Sequence, residues 1–124
     1  MSRTVTVFGA CIALLALPAF ADATQEINTA AAHAGMAAGA DTPKTLHFHI
    51  QHTLNCLEGK TGPDFNAGPG NPCDDMGAGA IPDSKPDAQK SLKDAVAKAK
   101  QALAEPNFEK GKDLAGDAQT ILSK

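Results

Sequence analysis

The residues able to do chemistry gather in one short stretch. All four histidines, His33, His47, His49 and His52, lie between positions 33 and 52, with Met36 among them and Cys56 one helical turn beyond His52. Imidazole suits copper, zinc and nickel, and a thioether adds a softer donor. On a helix turning 100° per residue, His49 and His52 project about 60° apart, and Cys56 falls between them. His47 projects about 160° from His49 and cannot share a compact site with it unaided. Met36 stands about 60° off the direction of His33, so it is a supplementary donor at best. The spacing singles out His33, His49 and His52 as metal ligands, with His47 and Met36 as possible additions.

That set works only if two helices bring it together. Residues 24 to 39 carry Ile27, Ala30, Ala31, Ala34 and Ala38 at helical spacing, with Thr24 as a candidate cap and Gly39 as a stop. Thr42 and Pro43 form a cap and first-turn pair that starts a second helix, which runs to about Leu57. Leu46, Ile50, Thr53 and Leu57 share one of its faces. The short turn makes the pair an antiparallel hairpin centred near residue 41 or 42. His33 then stands opposite the level of residue 50, between His49 and His52, so three imidazoles from two helices converge at one height.

Residues 59 to 86 differ in kind, being dense in Gly and Pro with no sustained period, and they read as a long loop. Loops of such length inside small domains are usually functional or pinned. A second helical pair follows in residues 87 to 124. Ala88, Leu92, Ala95, Val96, Ala99, Ala102 and Leu103 keep a 3.6 period, Pro106 interrupts, Asn107 can cap, and Leu114, Ala118, Ile121 and Leu122 continue to the end. The expected fold is all-α: an antiparallel four-helix bundle of two hairpins, 22 to 58 and 87 to 124, joined by the long loop.

The N-terminus reads as an address. Arg3 precedes an uncharged run from Val5 to Leu17, and Pro18 breaks it before Ala19-Phe20-Ala21. This is the pattern of a cleaved signal peptide over residues 1 to 21, and it is too short for a bilayer span of ~20 residues. Cleavage would leave residues 22 to 124 as one periplasmic or secreted domain with no further membrane contact. It would discard Cys11, leaving Cys56 and Cys73 as an even pair that an oxidising compartment favours joining as a disulfide. By the chain-entropy relation such a bridge contributes ~3 kcal/mol. Removing Arg3, the one charged residue in the segment, takes the formal charge from −3 to −4. Such an acidic chain has no basic patch for nucleic acid. There is no Trp or Tyr, and Phe48, Phe65 and Phe108 are the phenylalanines outside the signal, so an Ala-rich helical core fits better than a sheet.

No HExxH, Ser-His-Asp, phosphate-loop or paired-carboxylate pattern stands out, and we expect no enzyme activity. No CxxCH run is present for covalent haem, though haem held non-covalently between His33 and His49 or His52 is a further possibility. The stretch AAAHAGMAAGADTPKTLHFHIQHTLNCLEG resembles the hairpin repeats of the periplasmic small metal-binding protein family, whose members are four-helix bundles binding divalent metals, copper among them. His33-Ala34 and the His47, His49 and His52 group carry the likeness, which implies metal handling. The likeness stops at the first hairpin, since residues 86 to 124 hold no histidine, and it points to one site at most. The expected function is binding of a transition metal, copper first and zinc or nickel next. The competing class is a structural or interaction module of the cell envelope that presents the Cys-pinned loop to a protein partner.

Overall fold

In the computed structural model of the protein, residues 23–124 are described, and the candidate signal at 1 to 21 lies outside them. Among the described residues the chain forms five helices and no strand: α1 (Ala23–Ala38), α2 (Pro43–Glu58), α3 (Ala80–Asp83), α4 (Pro86–Ala104) and α5 (Phe108–Leu122). Helix α2 starts as its residues dictate. Thr42 has extended backbone and its hydroxyl accepts from the Thr45 amide at 3.1 Å, while Pro43 fills the first turn, where no amide is needed. Asn107 caps α5 in the same way, accepting from the Lys110 amide at 3.0 Å. Thr24 lies inside the first turn of α1 instead of capping it.

Alanine sets how closely the helices approach. Ala30, Ala34, Ala37, Ala95, Ala99, Ala102, Ala115 and Ala118 are all sealed from solvent. With single methyl groups at the contacts, α1 packs on α2 and α5, and α4 packs on α5 and α2. Bulk enters mainly from α2, whose Leu46, Ile50, Leu54 and Leu57 are the largest apolar side chains among those fully buried. Leu46, Ile50 and Leu54 join Ala99, Ala102 and Ala115 at one end, while Leu57 joins Ala30, Leu92, Ala95 and Leu122 at the other. No described helix is long and apolar enough to cross a membrane.

The 59 to 86 segment departs from the expectation of a loop without elements, because Ala80–Asp83 closes one helical turn. The turn forms where the chain returns to the core. Ala80 is fully buried, the Asp83 amide donates to the Gly79 carbonyl at 3.0 Å, and the Asp83 carboxylate accepts from the Ala78 amide at 2.8 Å. Gly59 and Gly79 meet there back to back, with φ of 71° and 124°. A Cβ on Gly79 would lie 2.6 Å from the Gly59 nitrogen, so both the close approach and the dihedral demand glycine. A Cys56–Cys73 disulfide, with Cα atoms 5.2 Å apart, ties the middle of the segment to α2.

Candidate metal centre

The first hairpin carries the site. Thr53, on the core face of α2, shares its hydroxyl between the carbonyls of Ala30 (3.3 Å) and His49 (3.1 Å), locking α2 against α1 one turn from His49. With Ala30 and Ala34 in the seam, the two helices are close enough for their imidazoles to touch. Nδ1 of His33 stands 3.1 Å from Nδ1 of His49. The His33 ring meets that of His52 edge-on, with centroids 4.7 Å apart. One ring nitrogen from each of His33, His49 and His52 lies within 4.8 Å of the others.

His52 is the most constrained of the three. Only 8% of it is exposed, and its Nε2 stands 2.9 Å from the carbonyl oxygen of Pro69 in the loop. A carbonyl can only accept, so Nε2 carries the proton and Nδ1 keeps a free lone pair. That Nδ1 is sealed from solvent and has no hydrogen-bond partner. A backbone carbonyl holding one imidazole nitrogen while the other stands open is the arrangement that orients metal-ligating histidines.

Loop and helix are joined by a set of polar side chains that the sequence reading did not single out. Asn55, fully buried, donates to the carbonyls of Asn66 and Gly70, both at 2.7 Å, and accepts from the Asn66 amide at 3.0 Å. Gln51 donates to the Asp64 carbonyl at 2.8 Å and Glu58 accepts from the Asp64 amide at 2.7 Å. Pro69 therefore sits between two points held by Asn55, and the disulfide holds the chain at Cys73. The only sequence signal for this network was a run of polar residues on a helix that must also bury a face, which is too common to single out Asn55 or Glu58.

The electrostatics favour the ligand form of imidazole. Burial, followed by the neighbouring rings of His52 and His49, lowers the His33 pKa to about 4. Burial and then His52 also lower that of His49. Neutral imidazole is the form that coordinates metals, so these rings need not shed protons at neutral pH. A tetrahedral ion with bonds of 2.0–2.1 Å holds its nitrogen ligands roughly 3.3 Å apart. The 3.1 Å separation of His33 and His49 is close to this, and a ring nitrogen of His52 lies within 4.8 Å of both. With three nitrogens and no carboxylate in the group, the donor set suits copper, zinc or nickel better than magnesium or calcium.

The other histidine lies elsewhere. His47 is exposed and lines a cleft with Pro43, Leu46, Glu105 and Phe108, outside the three-histidine group. Its direction along α2 puts it beside α5, as the projection from His49 requires. Met36 is 49% exposed. Met76, within the loop, instead accepts from the Thr29 hydroxyl at 3.6 Å. Phe48 supplies a contact that sequence reading missed: its ring lies 4.3 Å from that of His52 and 5.3 Å from that of His49, while 45% of the residue faces solvent.

No protein-family model, curated protein or solved structure matches the chain.

Proposed function

We propose that this is an exported helical protein that binds one transition metal ion, copper first, through His33, His49 and His52, and serves in metal handling instead of catalysis. The observation that carries the reading is that one ring nitrogen from each of His33, His49 and His52 lies within 4.8 Å of the others, while the Nδ1 of His52 is buried without a partner. Leaving a polar atom sealed and unsatisfied costs about 1–3 kcal/mol, and a metal ion would remove that cost. Copper leads because nitrogen sites follow the general affinity order for first-row divalent ions, with zinc and nickel behind it. Export agrees with the signal-like residues 1 to 21 and with a disulfide of the kind that oxidising compartments maintain. The four long helices are read as an antiparallel bundle with the His-bearing hairpin as one half, in keeping with the likeness to the small metal-binding proteins.

Haem between the same rings is disfavoured. Nδ1 atoms 3.1 Å apart, and rings meeting edge-on at 4.7 Å, leave no slot for a macrocycle. The interaction-module reading leaves the open Nδ1 of His52 without a purpose.

Titration of copper and zinc into the oxidised protein, followed calorimetrically, tests the proposal. One ion should bind per chain, and His33→Ala, His49→Ala or His52→Ala should each weaken binding by at least ~10-fold, the smaller loss typical of groups that merely support a ligand. His47→Ala should bind as the parent does. Equal affinity in all variants, or no binding tighter than about millimolar, would overturn the site.

A further inference from the structure

Two links join the loop to α2 in one register. The His52 imidazole meets the Pro69 carbonyl at 2.9 Å across 17 positions of sequence, and the Cys56–Cys73 disulfide spans the same 17. Cys56 follows His52 by about one helical turn, so the two links are stacked along one side of the helix. The chain next to Cys73 is stiffened by its own bonds. The Asn71 side chain accepts from the Cys73 amide at 3.0 Å, and the Asn71 carbonyl accepts from the Asp74 amide at 3.2 Å. A displacement of Cys73 is therefore passed on towards Pro69.

Both cysteines are buried, packed in the core cluster that holds Ala30, Leu57 and Ala80. Thiol–disulfide exchange needs a thiolate to reach one of the sulfurs, so the loop must lift from α2 before a reductant can act. Lifting it parts Pro69 from His52. The far end of the segment has a separate anchor on α1. Glu26 is fully buried, which pushes its pKa up to about 6, and its Oε1 accepts from the Gly79 amide at 2.9 Å. The part free to open is thus the part that the disulfide closes. A metal ion on Nδ1 of His52 acts in the opposite sense. It keeps the proton on Nε2 and draws charge from the ring, which makes Nε2–H a stronger donor to the Pro69 carbonyl.

We infer that the disulfide and the three-histidine centre are coupled through the Pro69–His52 bond, so that reduction by a dithiol weakens metal binding and bound metal protects the disulfide. This coupling rests on the three histidines binding a metal as proposed above. In the reduction step a dithiol supplies two electrons and two protons, the Cys56–Cys73 bond opens to two thiols, and the dithiol closes to its own disulfide. Asn55 still holds Asn66 and Gly70 afterwards, so metal affinity falls without being abolished. Binding free energies are reciprocal: the factor by which reduction weakens the metal is the factor by which the metal disfavours reduction.

Zinc, which undergoes no redox change itself, is the probe. Calorimetry compares the oxidised parent with the double variant Cys56→Ala/Cys73→Ala, which lacks the bridge and offers the ion no thiolate. The double variant should bind zinc roughly 10-fold more weakly. In a second arm a water-soluble phosphine reduces the parent and His52→Ala, each with no zinc and with zinc at saturation, and free thiols are read by alkylation and mass. Zinc should slow reduction of the parent roughly 10-fold and leave that of His52→Ala unchanged. If the oxidised parent binds no zinc tighter than about millimolar, the metal reading falls and the coupling falls with it. Zinc binding of equal strength in the parent and the double variant would overturn the coupling alone. Equal reduction rates of the parent with and without zinc would do the same, and that arm decides even if the double variant fails to fold.

Discussion

Single residues here are legible in proportion to how local their constraint is. His33, His49 and His52 could be brought together on paper because helix pitch and a short turn fix their relative heights, and His47 could be set apart by the same arithmetic. Glu26 and Asn55 could not be found this way, since Glu and Asn on a helix ordinarily face water and nothing in their neighbours says otherwise. Gly79 is a third case: Gly in a Gly-rich loop is unremarkable until its φ of 124° and the Gly59 backbone pressed against it are seen. Replacing Gly79 by Ala should cost about 1–3 kcal/mol, because a Cβ would collide with the backbone of residues 58 and 59 in a dihedral region that side chains avoid. A fall in Tm of roughly 5–15 °C in the oxidised protein would check this. Gly70, whose φ is 95° but whose missing Cβ would meet nothing, should show a smaller loss from the dihedral alone.

Among the elements, α2 is the organiser. One face supplies Leu46, Ile50, Leu54 and Leu57 to the core, a second offers His49 and His52 to α1, and Gln51, Asn55, Cys56 and Glu58 fasten the loop. Its buried run from His52 to Glu58 is unbroken, which a helix on the outside of a small fold does not show. Asn55→Ala would strip three hydrogen bonds from the loop and orphan their backbone partners. The expected loss is about 3 kcal/mol, measured as a shift in the urea midpoint with the disulfide intact. Hydrogen exchange should report faster opening at the Asn66 amide. Because the same loop presents Pro69 to His52, the metal affinity proposed for the three histidines should also drop about 10-fold.

On the scale of the whole molecule, stability should depend on pH through Glu26. Its folded pKa of about 6 exceeds the ordinary 4.5, so the folded state holds this proton more tightly than the unfolded chain does. The associated stability is fully present below pH 4.5 and is lost as pH rises through about 6. The difference approaches roughly 2 kcal/mol. In metal-free buffer the gap in unfolding free energy between the parent and Glu26→Gln should therefore shift against the parent across that window. Groups common to both proteins, such as Glu105, whose pKa the Asn107 amide and Lys110 lower, cancel in the comparison. A gap that stays flat from pH 4 to 7.5 would show that Glu26 is not held as described.

The sequence by itself determined the spans of the four long helices, because a 3.6-residue period with Thr42, Pro43 and Asn107 at its edges is a local signal. It also determined that three of the four histidines would share a height, because a two-helix hairpin has few free parameters. Tertiary structure alone decided how residues 59 to 86 lie, since their contacts reach back across long separations, from Gly79 to Glu26 and from Pro69 to His52. It alone decided which polar atoms end up buried without partners, Nδ1 of His52 and Oε2 of Glu26. Periodicity ranks residues by the face they occupy, but whether a polar atom on that face is satisfied depends on a loop that has no period to read.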